Sequence, residues 1–330
     1  MYKMIYYMVI VSMIFSISST NWLGLWMGLE INMISFIPLI VTPKNIFSNE
    51  SAVKYFLIQA SSSSMFLSFI LMSSFNSFSL PLFISSYFSF WVSIPMLIKL
   101  AAAPFHQWFI DIMNNISWLL CYLVSTLQKI TPLVVLMYIS LNYKFMVLFI
   151  IFSSLIGSIG GLNQIFLKKI LAYSSVNHLG WLLASLQISK MITLMYLIFY
   201  MFMNAFIMWV FNMNNIFQIN QVNNKMMFIS FSLCLMSLAG LPPFIGFLPK
   251  LIVIKLLITN NMLMMSSLLI LTALITLYYY LRISFTVFLL NSFSQKWINN
   301  NFYFKNNFFI ISLMSVMTSS SLILLNFFLL

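Results

Sequence analysis

Residues 22–39 read WLGLWMGLEINMISFIPL. Apart from Glu30, Asn32 and Ser35, this stretch is apolar and glycine-dotted throughout. A helix rises 1.5 Å per residue, so such a run spans most of a hydrocarbon core of about 30 Å. Its apolar residues are continuous rather than alternating at period two, so the reading is a transmembrane helix and not a barrel strand. Near its middle stands Glu30. An ionisable group at the bilayer centre costs roughly 2.5–3.5 kcal/mol on insertion scales. A packing hydrogen bond to Asn32 or Ser35 would be the plain structural reason for it, but Gln would serve there at lower cost, which points to function.

The rest of the chain has the same character. Of its 330 residues 62% are hydrophobic and 5% charged, and the mean hydropathy is +1.04. Soluble domains carry about 25% charged residues. Hydropathy predicts an all-α, polytopic membrane protein with about eleven spans, near 4–20, 22–42, 51–74, 79–103, 116–142, 145–163, 168–188, 191–213, 226–259, 262–290 and 308–329. The polar breaks Thr42–Glu50, Asn212–Lys225 and Asn291–Asn307 are too short to separate domains, so residues 1–330 read as one transmembrane domain. The apolar N-terminus runs into the second span with no small-residue cleavage site, so no signal or transit peptide is expected.

Fifteen Lys and Arg against three acids give a net charge of +12. The basic residues are scattered singly between spans, a pattern of membrane topology and not of nucleic-acid binding. Alternating the spans puts Lys3, Lys44, Lys54, Lys168, Lys169, Lys225, Lys296 and Lys305 on one side and Lys144 and Lys190 on the other. The positive-inside rule then places the N-terminus on the cytoplasm-like side and the C-terminus opposite. Arg282 is the one arginine, Gly (8) and Pro (9) are scarce, and Phe (35) and Met (26) abound. That bias towards residues with A/T-rich codons suits an organelle-encoded gene.

Five basic residues fall within spans. Lys255 and Arg282 lie near span ends, where long side chains reach the interface. Lys99 precedes AAAPF. Lys129 lies in STLQKITP, three residues before Pro132. Lys250 follows LPPFIGFLP, with Pro242 and Pro243 upstream. Proline interrupts helices, and broken helices expose carbonyls that hold water and cations. Residues 97–109, LIKLAAAPFHQWF, echo residues 236–248, MSLAGLPPFIGFL: each places Leu-Ala before Pro-Phe. Paired interruptions are the trace of an inverted repeat. Pro104 belongs to the first, and His106 beside it reads as structural or interfacial. The seventh span carries AYSSVNHLGW, where Ser174, Ser175 and His178 share a helix face at spacings of three and four, with Asn177 alongside. Such a face can order a proton relay or bond between helices.

Several chemistries have no residues to perform them. GxGxxG, Walker A and nucleophile-elbow motifs are absent, and Cys121 and Cys234 stand alone in apolar runs. With two His in the chain, no bis-His haem or metal site is expected. Physics alone reaches a path for protons or cations.

Four motifs extend that reading: residues 22–39, LIKLAAAPFHQWF, GLNQIFLKKILAYSSVNHLGW (161–181) and LAGLPPFIGFLPK (238–250). Together, in order and across the chain, they resemble the second mitochondrially encoded chain of the NADH–ubiquinone oxidoreductase (respiratory complex I) family, in its insect-like form. The resemblance implies an antiporter-like membrane-arm subunit with two inverted five-helix repeats, about 4–142 and 145–290, and a final helix at 308–329. It implies that Glu30, Lys99, Lys129, His178 and Lys250 form the proton path, with helix breaks at 97–106 and 240–250. FMN, iron–sulfur clusters and ubiquinone would be held by partner subunits and no cofactor by this chain. The implied location is the mitochondrial inner membrane, N-terminus in the matrix and C-terminus in the intermembrane space. The implied partners are neighbouring antiporter-like chains, accessory subunits and lipid. Bacterial relatives carry three more leading spans, and many relatives have Ser-Gly where this chain has Leu100-Ala101. The same residues would equally suit a stand-alone cation/proton antiporter, or a spacer subunit whose charges only join helices.

Overall fold

The computed structural model describes residues 2–42, 45–76, 84–139, 143–214, 216–218 and 225–293. The expected span at 308–329 and Lys44, Lys296 and Lys305 lie outside the described residues. Those described form helices joined by short turns, with one isolated antiparallel bridge between Phe166 and Gln218. Among the described residues, six helical stretches are long and apolar enough to cross a membrane: Trp22–Ile40, Ile46–Met72, Trp118–Tyr138, Tyr143–Gly160, Lys190–Met213 and Leu263–Phe285.

The chain forms two compact units, Met1–Ser153 and Ser154–Leu330. In the first, α1 (Tyr2–Ser18) and α2 (Trp22–Ile40) pair as a hairpin. Helix α3 (Ile46–Asn76) packs on α2, on α4 (Ile84–Leu100) and on α5 (Gln107–Asn115). Helices α6 (Trp118–Ser125) and α7 (Leu127–Tyr138) follow, with α7 against α4 and α1. Helix α8 (Tyr143–Gly160) leads from the first unit into the second.

In the second unit α9 (Leu167–Ile188) is packed by α10 (Lys190–Asn214), α12 (Phe247–Thr259) and α13 (Leu263–Phe293), while α11 (Lys225–Ala239) lies against α10 and α13. Helix α9 is buried along most of its length, including Ser174, Ser175, Asn177 and His178. That follows from its composition. A helix with hydroxyl, amide and imidazole groups is costly against lipid, so the apolar helices take the outside. Their outward residues are large and apolar, among them Leu57, Leu148, Ile198 and Leu274. The many serines satisfy their hydroxyls locally, as Ser62 does on Gln59 O and Ser174 on Leu171 O.

Two of the expected spans prove to be broken. Residues 116–142 divide into α6 and α7 at Thr126, and 226–259 divides into α11 and α12. A short helix, α5, occupies residues between the fourth and fifth expected spans.

Candidate functional site

In the first unit the site begins at the end of α4. Ala102 N–H bonds Leu97 O at 3.0 Å and Ala101 N–H bonds Ile98 O at 3.0 Å. This pattern is a Schellman cap, which needs a left-handed residue at its turn. Ala101 fills that position at φ 59°. Lys99 therefore sits in the last helical turn, 6% exposed. Beyond it the Ala103–Pro104 peptide is cis, and His106 contacts Pro104 O through Nδ1 at 3.0 Å before α5 begins.

Lys99 and Lys129 line one cavity with Asn32, Tyr55, Gln59, Trp108, Gln128 and Thr131. Its volume is about 20 Å³ as room for water centres, and a water needs roughly 10–15 Å³ by that measure. Thr131 Oγ1 and Trp108 Nε1 are buried there without a protein partner, so the lining offers polar atoms to water. Lys129 is 3% exposed, with its ammonium 5.1 Å from the Phe109 ring centroid. The backbone irregularity beside it falls at Thr126, φ −121° and ψ −72°, three residues before Lys129. Pro132, expected to weaken the helix there, stays inside α7.

Glu30 accepts a hydrogen bond from Ser63 of α3, so neither Asn32 nor Ser35 is its partner. It is an electrostatic neighbour of Lys99, but the two make no ion pair within 4.0 Å; the ion pairs among the described residues join Lys54 to Glu50 and Asp111. Asn32 instead exchanges two hydrogen bonds with Gln128: Asn32 Nδ2 to Gln128 Oε1 at 2.9 Å, and Gln128 Nε2 to Asn32 Oδ1 at 3.1 Å.

In the second unit His178 Nδ1 meets the Tyr196 hydroxyl at 2.9 Å, and its ring lies 5.2 Å from that of Tyr200. Tyr200 in turn has Ser175 and Asn204 as electrostatic neighbours. Helix α8 crosses close to α9 at Asn177: a Cβ on Gly157 would lie 2.5 Å from the Asn177 backbone nitrogen. A small cavity is lined by His178, Tyr196, Tyr200, Ser237, Gly246 and Pro249. On its far side α11 ends in a second Schellman cap: Leu241 N–H to Met236 O at 3.4 Å and Gly240 N–H to Ser237 O at 3.1 Å. Gly240 takes the left-handed turn at φ 81°. Pro242 and Pro243 follow, and neither can continue the helix.

The cap satisfies the carbonyls of Met236 and Ser237 and leaves those of Leu238 and Ala239. Lys250 reaches back from α12 to both, at 3.2 and 2.9 Å, and its ammonium is 5.9 Å from the Trp181 ring centroid. A cation at a helix C-terminus is also favoured by the helix dipole. Lys250 thus completes the cap of the helix its own segment interrupts.

Three further basic residues lie apart from these groups. Arg282, expected near a span end, donates to Leu162 O in the turn after α8. Lys255 is exposed. Lys168, expected in a loop, is 7% exposed with its ammonium 5.1 Å from the Phe217 ring centroid. Of the expected residues, Glu30, Lys99 and Lys129 gather in the first unit, and Ser174, Ser175, Asn177, His178 and Lys250 in the second. Sequence reasoning missed Ser63, Gln128, Tyr196 and Tyr200. Tyr196 and Tyr200 are four apart and so share one face of α10, which was a legible signal; nothing in the sequence pairs Ser63 with Glu30.

Comparison with known proteins assigns this arrangement to a class. A family model described as NADH:quinone oxidoreductase/Mrp antiporter, TM, matches residues 19–276. A chain in the structure of respiratory complex I from Thermus thermophilus with bound aureothin superposes with TM-score 0.78 at 21% identity, covering 87% of this chain and 70% of that one. A chain of the Mrp complex from Dietzia sp. does so with TM-score 0.75 at 17% identity, covering 84% and 58%. The fold is that of the membrane subunits shared by quinone oxidoreductases and Mrp antiporters. NADH-ubiquinone oxidoreductase chain 2 of Anopheles gambiae is 40% identical, covering 89% of this chain and 88% of that one, and the Locusta migratoria chain is 38% identical, covering 86% and 84%. The chain belongs to the NADH-ubiquinone oxidoreductase chain 2 family.

Proposed function

We propose that this chain is a core membrane-arm subunit of respiratory complex I in the mitochondrial inner membrane, translocating protons as other subunits pass electrons from NADH to ubiquinone. The observation that carries the reading is the placing of three buried lysines, Lys99, Lys129 and Lys250, each beside an interruption in a membrane helix. A buried lysine is costly to hold and responds to small changes around it. Helix interruptions supply the free carbonyls and room that make those changes possible.

In this reading electron transfer elsewhere alters the separation of Glu30 and Lys99. That changes how Lys99 holds its proton and passes a charge displacement to Lys129, through the His178 region to Lys250. A tenfold change in proton affinity at any one of these groups corresponds to about 1.4 kcal/mol. Ser174, Ser175 and Asn177 support His178. Pro104, Pro132, Pro242 and Pro243 shape the interruptions, with His106 holding the first. The two Schellman caps share their hydrogen-bond pattern, with Ala101 standing where Gly240 stands. This supports two inverted five-helix repeats, at about 4–142 and 145–290, within about eleven helices. The N-terminus faces the matrix and the C-terminus the intermembrane space. Neighbouring complex I chains, accessory subunits and lipid cover the apolar faces. FMN, iron–sulfur clusters and quinone belong to partners, and this chain holds none.

Lys129→Met tests the reading in sealed inner-membrane vesicles. The expected result is fewer protons moved per electron at unchanged content of assembled complex. A wild-type ratio in the assembled variant would refute a proton path through this chain and favour a spacer.

A further inference from the structure

Asn32 and Gln128 form a reciprocal side-chain amide bridge that the proposed path above does not use. Asn32 is 3% exposed and stands two residues after Glu30 on α2. Gln128 immediately precedes Lys129 and follows the irregular residue Thr126 by two. Both amides line the cavity that holds Lys99 and Lys129. The bridge therefore joins the helix of the membrane carboxylate to the first turn of the helix that carries the second lysine.

Local geometry makes that first turn adjustable. Thr126 leaves helical geometry, and its hydroxyl bonds back to Tyr122 O at 2.6 Å. Pro132 has no N–H, so the carbonyl four residues before it, that of Gln128, lacks its usual helical donor. The turn bearing Gln128 and Lys129 is thus loosened on both sides. Two parallel amide hydrogen bonds fix distance and orientation together, which one bond or an apolar contact does not.

We infer that the Asn32–Gln128 bridge is a positioning clasp: it ties Lys129 to α2, so that a displacement of Glu30 is felt at Lys129 across their shared cavity. The inference rests on the proton path proposed above. Without the clasp, Lys99 and Lys129 still border one cavity, but the loosened turn at Lys129 no longer follows α2.

The test measures protons moved per electron, together with assembled complex content, in sealed inner-membrane vesicles. Lys129→Met is the reference. Asn32→Ala and Gln128→Ala are each expected to lower the ratio about as far as Lys129→Met does. The exchange Asn32→Gln with Gln128→Asn keeps the combined length and both hydrogen bonds, and is expected to restore the wild-type ratio. The apolar pair Asn32→Leu with Gln128→Met keeps the packing without the bonds; assembly is expected to hold while the ratio stays low. Should single variants fail to assemble, the two double variants decide. A wild-type ratio in the apolar pair, or no recovery in the assembled exchange variant, overturns the clasp. If Lys129→Met lowers the ratio and the assembled alanine variants do not, the clasp falls and the proton path stands. If Lys129→Met itself leaves the ratio unchanged, the path falls and the clasp with it.

Discussion

Replacing Gly240 by alanine should disturb Lys250 without touching the lysine itself. Two effects add. Gly240 has φ 81°, and an L-residue in the left-handed region costs about 1–2 kcal/mol. Reduced freedom of the unfolded chain returns about 0.4–1 kcal/mol of that. The new Cβ would also stand 3.0 Å from Lys250 Cδ and 3.1 Å from Nζ. These contacts are tighter than ordinary packing, so the side chain must give by a few tenths of an ångström, which lengthens its hydrogen bonds to the carbonyls of Leu238 and Ala239, now 3.2 and 2.9 Å distant. A hydrogen bond to a charged group is worth about 1.5–3 kcal/mol. Weakening one of them changes the balance by up to about 2 kcal/mol, a ceiling of roughly thirtyfold between docked and undocked Lys250.

The assay is again protons moved per electron, measured beside complex content. Gly240→Ala is expected to lower the ratio in assembled complex. Gly240→Asn separates the two effects. Asparagine tolerates the left-handed region yet carries the same Cβ. If the contact with Lys250 dominates, Asn behaves as Ala does. If backbone strain dominates, Asn is close to wild type in both content and ratio. An alanine variant that assembles and pumps with the wild-type ratio would refute the reasoning, because the docking of Lys250 on α11 would then be irrelevant to proton movement.

Two further outcomes follow from the same geometry. Ala101→Gly relieves a left-handed alanine at φ 59°, a gain of about 0.5–1 kcal/mol net of unfolded-chain entropy, but gives up a fully buried methyl worth about 0.8 kcal/mol. The two offset, so the temperature of complex disassembly should stay near that of the wild type, and a marked fall would sink the strain argument. Tyr196→Phe removes the hydroxyl that meets His178 Nδ1 at 2.9 Å in a buried setting, a change worth about 1–3 kcal/mol. It should lower protons per electron, and an unchanged ratio in assembled complex would take His178 out of the path.

Much of the chain was legible from residue chemistry alone. Continuous apolar runs announce membrane helices because lipid leaves backbone groups no other partner. The charges inside them stand out because each is costly there. The two interruptions were legible too, through LAAAPF and LAGLPPF. The break beside Lys129 was misplaced at Pro132 for a physical reason. Proline removes the donor for the Gln128 carbonyl, yet α7 continues through it at its sixth position, while Thr126, with nothing unusual in its neighbours, adopts the irregular geometry. Long-range pairings were also beyond reach. Glu30 with Ser63 and Asn32 with Gln128 depend on how α2 meets α3 and α7, and periodicity does not report that.

The two breaks show why the lysine residues stand where they do. A Schellman cap leaves the last carbonyls of a helix without donors, and in a membrane water is scarce to supply them. At the second break Lys250 supplies them and so becomes part of the helix end. At the first, the position matching Lys250 is Asp111, which lies 3.9 Å from Lys54 instead. There Lys99 comes from the ending helix itself and turns to the cavity it shares with Lys129. The same backbone device thus holds one lysine by its ammonium and leaves the other facing polar space. If both took part in one proton path, losing the first lysine's surroundings and losing the second's docking should act differently. Changes around Lys99 should act through the cavity and the Asn32–Gln128 bridge. Changes around Lys250 should act through the end of α11, which is why Gly240, a residue with no side chain, is the sharper probe of the second half.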